Sequence, residues 1–378
     1  MLPPIRPLRL AVLAALGALG TNAAADPIPG SNARRDVDLV IALDISGSME
    51  GLIESAKQRL WDITNELAQA RPTPELRVAI LSYGRPSYGE QSGFVHVDLP
   101  FTSDLDTVNA TLFGFQTDGG DEYVSRAIQT SLHSLRWSQA ADALKIVFVA
   151  GNESAEQDPR LTIESAAAEA AHRGIVVNAI YCGNDGDADA RAWRKVAANT
   201  NGLYASIDQN AAAVANVTTP FDASLAALND ELNGTYIAFG SSGERGRENL
   251  TAQDRNAALM SPAASASRTV AKAGALYRSE WDLVDALKSG KTLAEIPVEE
   301  LPADLQALEP AQRAMHVRQQ TERRDDLERQ IAAVAAQRSR YMAQQSRDDA
   351  GTAQGLDAAI LEGIRKVAAT KGFSFATE

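Results

Sequence analysis

The chain has 378 residues, and 45% of them are hydrophobic, so it is long enough to bury a sizeable core. Its formal net charge of −13 makes it a poor candidate for binding nucleic acid or anionic lipid. Its single cysteine, Cys182, excludes an internal disulfide. Because Cys182 ends an apolar run, we expect it to be a small buried apolar residue.

Residues 1–25 have the features of a secretory signal peptide. Arg6 and Arg9 provide the basic start, an apolar core begins at residue 10, and residues 23–25 are all alanine. We therefore expect cleavage before Asp26, export of the mature chain, and no integral membrane segment after cleavage. An uncleaved membrane anchor is the alternative, although the apolar run is short for a membrane span.

The most informative segment follows the apolar run at residues 37–43. There the sequence reads Asp-Ile-Ser-Gly-Ser-Met, and an amphipathic stretch follows it. Asp44, Ser46 and Ser48 alternate by two, so an extended loop can direct all three at one point. Hard oxygen donors that converge in this way suit Mg²⁺ or Mn²⁺. The simpler alternative is that Asp44 only caps the helix.

Strand-like and helix-like segments alternate between residues 36 and 232. This alternation predicts an α/β fold, with a doubly wound, mainly parallel six-stranded sheet and helices on both faces. The short gap between Tyr83 and Phe94 suits a hairpin, and hence one antiparallel edge strand. The predicted strands are residues 37–43, 76–83, 94–100, 144–149, 175–181 and 203–206. The predicted helices are residues 52–67, 105–113, 123–135, 161–173, 187–198 and 211–228.

Three predicted loops share one edge of this sheet. Ligands of open α/β sheets bind beyond the carboxyl ends of the strands. Residues 44–48, 117–122 and 151–153 should all lie there, and each loop carries oxygen donors.

Residues 233–300 read as a linker with short helices. Residues 235–239 could add a strand, and the Gly-, Ser- and charge-rich residues 240–248 suggest a loop. The alanine-rich residues 254–275 and the amphipathic residues 281–287 suggest helices.

Residues 301–378 are predicted to form a mostly α-helical C-terminal extension. Part of it fits a heptad seam that Arg338 interrupts, so a short coiled coil and an antiparallel helix docked on the protein itself are both open. These stripes could also mediate self-association. Their apolar residues are Leu327, Ile331, Val334 and Tyr341 in one helix and Leu356, Ile360, Ile364 and Val367 in the last.

The Asp44–Ser48 loop resembles the D-x-S-x-S signature of the von Willebrand factor type A (VWA) family, and the resemblance covers residues 36–232. It implies a metal-ion-dependent adhesion site (MIDAS) in which Ser46 and Ser48 bind the metal directly and Asp44 acts mainly through water. The second loop offers Thr117, which resembles the usual threonine, and Glu122, which resembles a glutamate of some members.

The third loop departs from the family pattern. An apolar strand followed by Thr-Asp-Gly is usual, whereas Ala150, Gly151 and Asn152 stand here. Gly151 therefore holds the aspartate position, and Asn152 could supply an oxygen instead. The departure implies weaker binding of Mg²⁺ or Mn²⁺. Alternatively, the acidic residues of the second loop are there only because acidic side chains favour the positive N-terminal end of a helix.

The resemblance implies an adhesion-like module that binds a partner protein with an exposed acidic residue. Residues 119–123 and 150–153 resemble a bacterial exported subgroup with a C-terminal extension, so a periplasmic or secreted location is expected. The alternative is a scaffold protein of the envelope that assembles through its C-terminal helices and has a degenerate metal site. The sequence contains no H-E-x-x-H, no P-loop and no G-x-G-x-x-G after a strand, so we expect no enzyme; a metal-dependent hydrolase is the least favoured reading.

Overall fold

A six-stranded sheet organises the part of the chain that the computed structural model describes, which is residues 34–207, 218–348 and 356–375. The strand order is β3-β2-β1-β4-β5-β6, and only β3 runs antiparallel to its neighbour. β1 is therefore central, and the predicted fold class is confirmed. The strands are β1 (Arg35–Asp44), β2 (Pro74–Tyr83), β3 (Val95–Thr102), β4 (Leu144–Gly151), β5 (Val176–Tyr181) and β6 (Tyr204–Ser206).

The central strand is apolar because both of its faces are covered. Leu39 and Leu43 point into one core, whereas Val40 and Ala42 point into the other. This is the pattern of a buried parallel strand. Cys182 is 2% exposed and belongs to the first core, as expected for a small apolar residue. The first core is covered by α1 (Glu50–Ala68) and α2 (Leu105–Phe113), and the second by α3 (Val124–Ser134), α4 (Ile163–His172) and α5 (Ala190–Ala198).

Helices continue through the remaining described residues: α6 (Asp222–Asn233), α7 (Gly243–Met260), α8 (Pro262–Lys272), α9 (Leu283–Lys288), α10 (Ala303–Gln306), α11 (Pro310–Asp348) and α12 (Leu356–Thr370). The described part contains no helix with the length and apolarity needed to cross a membrane. The predicted signal peptide, residues 1–25, lies outside the described residues, as do residues 211–217 of the helix predicted at 211–228.

Two local predictions for residues 233–300 were wrong, and a third, the helical residues 254–275, is confirmed except for a break at Ser261. The predicted loop at 240–248 ends early, because the turn at Gly240, with φ +69°, already leads into α7 at Gly243. The predicted strand at 235–239 forms only a single bridge, between Ala238 and Asp282. The predicted helix at 254–275 is two helices, because Ser261 is extended and its side chain caps α8. A polar helix such as α7 lacks the periodic signal that would have revealed it.

A buried charge cluster joins α8 to α2 and α7. The guanidinium of Arg268, which is 1% exposed, donates to Asp106 Oδ1 at 2.6 Å and to Asp254 Oδ1 at 2.5 Å. Lys272 Nζ lies 3.0 Å from Asp254 Oδ2, and the Tyr277 hydroxyl donates to Asp106 Oδ2 at 2.6 Å. Charges this deeply buried are tolerated only when they are paired, so the cluster fixes the position of these helices.

The long helix α11 packs on α6, α8 and α9 of the same chain. Leu327 and Ile331 are buried, at 3% and 0% exposure. Arg324 Nη1 donates to Asp282 Oδ2 at 2.6 Å, and Arg338, which interrupts the heptad seam, donates to Asp222 Oδ1 at 2.9 Å. α11 is therefore a helix docked on its own chain. This is one of the two possibilities that the sequence left open, and the other was a short coiled coil.

The last helix, α12, returns to the sheet. It packs against α1, β5 and β6, and Ile364 and Val367 are 1% and 4% exposed. After it, the N–H of Arg71 donates to the Ser374 carbonyl at 2.8 Å, and the N–H of Ser374 donates back at 2.9 Å. The described residues form one unit by their contacts, and the division of the chain into residues 36–232, 233–300 and 301–378 stays a prediction.

We predict that Asp254→Asn lowers the free energy of unfolding at pH 7 by about 3 kcal/mol, because Arg268 and Lys272 would lose a buried partner. Burial alone would raise the pKa of Asp254, but Lys272 and Arg268 outweigh it and hold that pKa well below its ordinary value. A lowered folded-state pKa gives stability that is present above the unfolded pKa, near 3.8, and is lost as the pH falls below it.

Urea denaturation at pH 7 and at pH 3 measures this effect. The penalty of Asp254→Asn should be smaller at pH 3, because there Asp254 of the unfolded wild-type chain binds a proton, whereas the folded-state carboxylate, with its lowered pKa, stays ionised. An equal penalty at both pH values would contradict the assignment.

We also predict that Ile364→Ala lowers the free energy of unfolding by about 2–4 kcal/mol, because the side chain is buried against the sheet. Lys366→Ala, at an exposed position on the same helix, is the matched control. Thermal unfolding of both variants tests the packing of α12, and two equal melting temperatures would argue against it.

Candidate functional site

The predicted loops meet at the carboxyl ends of β1, β2 and β4. These strands are neighbours in the sheet, with β1 between the other two. Asp44 ends β1, Tyr83 ends β2 and Gly151 ends β4. The second predicted loop, residues 117–122, precedes α3 and joins them through a hydrogen bond from the N–H of Asp118 to the Ile45 carbonyl at 3.0 Å.

The first loop brings Asp44, Ser46 and Ser48 together. The N–H of Ser46 donates to Asp44 Oδ1 at 2.7 Å, and the two serine hydroxyls are 3.4 Å apart. Asp44 and Ser46 are 0% and 3% exposed, whereas Ser48 is exposed. The alternative that Asp44 only caps the helix is wrong, because the N-cap of α1 is Met49, which has no side-chain cap.

Of the two candidates in the second loop, Glu122 reaches Asp44. A Cβ atom built on Gly84 would lie 2.7 Å from Asp44 Oδ1, 3.3 Å from Glu122 Cγ and 3.4 Å from Ser46 Cβ, so these side chains surround one point. Glu122 is 2% exposed, whereas Thr117 is only half-buried. Glu122 directly precedes Tyr123, the N-cap of α3, and the first turn of α3 contains no acidic residue.

The third loop contributes Asn152. Its Nδ2 donates to Ser48 Oγ at 2.8 Å, while its Oδ1 is buried and has no hydrogen-bond partner among the described residues. Gln157 connects this loop to the second one, because its Oε1 accepts from the N–H of Glu122 at 3.1 Å and its Nε2 donates to Glu153 Oε2 at 2.7 Å.

Tyr83, at the end of β2, was not among the site residues predicted from the sequence. Its side chain is fully buried, and its hydroxyl donates to the Ala150 carbonyl at 2.7 Å. A Cβ atom built on Gly151 would lie 2.6 Å from Tyr83 Oη and 3.1 Å from Asp44 Oδ2. The one available signal was that Tyr83 ends the strand next to β1. Tyr83 therefore accounts for the glycine at the position of the family's aspartate.

The site concentrates negative charge in a dry environment. Burial raises the pKa of Asp44, and burial together with the neighbouring Asp44 carboxylate raises the pKa of Glu122 to about 10. Among the described residues, neither carboxylate forms an ion pair with a lysine or an arginine. Two adjacent carboxylates without a counter-charge cannot both ionise.

The residues present fit a hard divalent cation. Asp44 Oδ2 and Asn152 Oδ1 are buried and have no hydrogen-bond partner within the described ranges, and an unsatisfied buried acceptor is costly. Mg²⁺ and Mn²⁺ prefer carboxylate, hydroxyl and amide oxygens, which are the donors found here: Asp44, Ser46, Ser48, Glu122 and Asn152. Within the described ranges no three His, Cys, Asp or Glu side chains form a metal cluster, so the hydroxyl and amide oxygens are needed as well.

The family model of the von Willebrand factor type A domain matches residues 38–220. No curated protein matches the sequence. Three solved structures illustrate the similarities. Proximal thread matrix protein 1 from the mussel byssus, with a zinc-occupied MIDAS motif, is 12% identical, with a TM-score of 0.37 over 46% of this chain and 42% of that chain. The SpRpn10 VWA domain is 14% identical, with a TM-score of 0.36 over 45% of this chain and 87% of that chain. The pilus adhesin SpaC from Lactobacillus rhamnosus GG is 15% identical, with a TM-score of 0.34 over 46% of this chain and 28% of that chain.

We predict that Gly84→Ala both destabilises the chain and disturbs the site. Gly84 has φ +86°, and its new methyl group would meet Asp44 Oδ1 at 2.7 Å. Gly89→Ala is the matched control, because φ is +80° there and nothing lies within 4 Å. Gly84→Ala should cost about 2 kcal/mol more than Gly89→Ala in thermal unfolding, since only it adds overpacking to backbone strain. Equal costs would show that Gly84 does not border the carboxylate.

Proposed function

We propose that this chain is a binding module that engages an acidic side chain of a partner protein through a divalent cation, because the family model of the von Willebrand factor type A domain matches residues 38–220. The observation that carries the proposal is the buried Asp44 carboxylate, which lies beside Glu122 and near the exposed Ser48 and has one oxygen without a partner in the part of the chain that the structure describes. A bound Mg²⁺ or Mn²⁺ would supply positive charge and an open coordination position for a partner's carboxylate.

Some residues of the site would hold the cation, and others would leave it accessible to a partner. Asp44 and Glu122 are buried and would provide negative charge from the protein interior, while the Ser46 and Ser48 hydroxyls would provide neutral oxygens. Ser48 is exposed, so an incoming group can approach from its side. Asn152 donates to Ser48 and fixes the orientation of that hydroxyl.

The charge distribution explains why binding would depend on metal. Without a cation, an acidic partner would approach Asp44, Glu122 and the exposed Glu153, all of which are acids. Like charges in such a site repel strongly. A cation reverses this local preference, so chelation should release the partner.

We extend the proposal to the location of the protein. The features of residues 1–25 support export, and the resemblance to a bacterial exported subgroup supports a periplasmic or secreted protein. The role is binding rather than catalysis.

The scaffold alternative finds less support in the packing of the C-terminal helices. Leu327, Ile331, Ile364 and Val367 of the two apolar stripes are buried against the same chain. They are therefore not free to bind another copy.

We predict that the double substitution Ser46→Ala and Ser48→Ala weakens Mn²⁺ and Mg²⁺ binding at least tenfold, on the order of what the loss of metal-site groups costs, with little loss of stability. Calorimetric titration after removal of metal with a chelator measures it. Ser134→Ala, at an exposed serine at the end of α3, is the control.

The same double variant can serve as the control in a search for the partner protein. Proteins retained from an envelope extract in Mg²⁺, and released by a chelator, should be absent from the double variant. Unchanged metal binding in the double variant would refute the proposed site.

A further inference from the structure

We propose that this site takes its second carboxylate from Glu122 in the second loop instead of from the third loop, and that Tyr83 is the positioning residue that enforces this exchange. The inference rests on the proposed function, and it identifies which side chains of this chain determine the affinity for the cation.

The first step is that position 151 is closed to an acidic side chain. A Cβ atom on Gly151 would lie 2.6 Å from Tyr83 Oη and 3.2 Å from Trp193 Cη2, and the first distance is shorter than real Cβ contacts. Tyr83 cannot move aside easily. It is fully buried, its Cα pairs with Asp44 in the sheet, and its hydroxyl is bonded to the Ala150 carbonyl.

The second step is that the second loop is drawn tightly against the end of β2. A Cβ atom on Gly120 would lie 2.7 Å from both the Gly84 carbonyl oxygen and Pro86 Cδ, so this glycine permits a close approach of two backbones. The close approach carries Glu122 inward, where its N–H is held by Gln157. Thr117, at the start of the same loop, stays half-buried.

The third step concerns charge. Glu122 borders Asp44 and Ser46 around Gly84, so the site has two carboxylates although its third loop supplies none to it directly. Asn152 leaves that loop neutral at the site and keeps Ser48 in place. The glycine at position 151 thus goes with a second carboxyl group on another loop, not with the loss of that group, and a bound cation would allow both carboxyl groups to ionise. The sequence alone suggested a weakened site because it could not show where that group lies.

The primary test compares Glu122→Gln with Thr117→Val by Mn²⁺ titration, using calorimetry or electron paramagnetic resonance. Both substitutions preserve side-chain size. We expect Glu122→Gln to weaken Mn²⁺ binding at least tenfold and Thr117→Val to change it less than about threefold, by comparison with the effects of removing metal-site groups. Unchanged affinity in Glu122→Gln, or a larger loss in Thr117→Val, would overturn the inference.

A double-mutant cycle tests Tyr83. Gly151→Asp alone should lower both the melting temperature and the affinity for Mn²⁺, because the new side chain meets the tyrosine hydroxyl. Adding Tyr83→Phe removes that oxygen and should restore part of the melting temperature and part of the affinity for Mn²⁺. If Tyr83 had a merely structural role, the losses caused by the two substitutions would instead add. Gly151→Ala, which adds only the Cβ atom, replaces Gly151→Asp in the same cycle if the latter does not fold. A Gly151→Asp variant with wild-type stability and affinity would show that the position is open.

The Ser46→Ala and Ser48→Ala double variant separates failure of this inference from failure of the proposed function. If that variant loses Mn²⁺ binding while Glu122→Gln keeps it, only the exchange of carboxylates is refuted. If none of these variants changes Mn²⁺ binding, the metal site itself is refuted.

Discussion

A buried carboxylate without a protein counter-charge, at the end of the central strand, governs the chemistry of this molecule. Asp44 is 0% exposed, and one of its oxygens has no hydrogen-bond partner among the described residues. The strand that places it there is apolar on both faces, so the chain cannot withdraw Asp44 to water without breaking the sheet. The free-energy cost of burying this carboxylate must be offset at the site, and the oxygens around it are acceptors suited to a cation.

The other buried acids of the chain show what the fold does when it supplies its own cation. Asp106 and Asp254 face Arg268, and Asp282 faces Arg324 at 2.6 Å. These pairs connect helices that are distant in sequence, so they stabilise the fold only while both partners are present. Asp44 differs, because the described residues provide no arginine or lysine for it. This contrast between paired and unpaired acids within one protein is the strongest internal argument that the site at the carboxyl edge binds an external cation.

The sequence predicted the sheet because its strands are short apolar runs that end in polar loops. Such runs can be recognised from neighbouring residues alone. It also identified the Asp44 loop, because three donors alternate within five residues. It could not show why Gly151 departs from the family pattern, since the reason is the Tyr83 hydroxyl, which comes from another strand. It also left open whether α12 would pack on the other C-terminal helix or on the domain that contains the sheet. Both features depend on contacts between residues far apart in the chain, which periodicity does not report.

The placement of the C-terminal helices limits where a partner can bind. α7 packs on α2, and both α8 and α12 pack on α1, so they cover the face of the sheet that carries α1 and α2. The opposite face is already covered by α3, α4 and α5. The carboxyl edge remains accessible, because Ser48 and Glu153 are exposed there. Since both faces are occupied by the chain's own helices, a partner of the proposed kind would reach the site from the carboxyl edge, without displacing any of these helices.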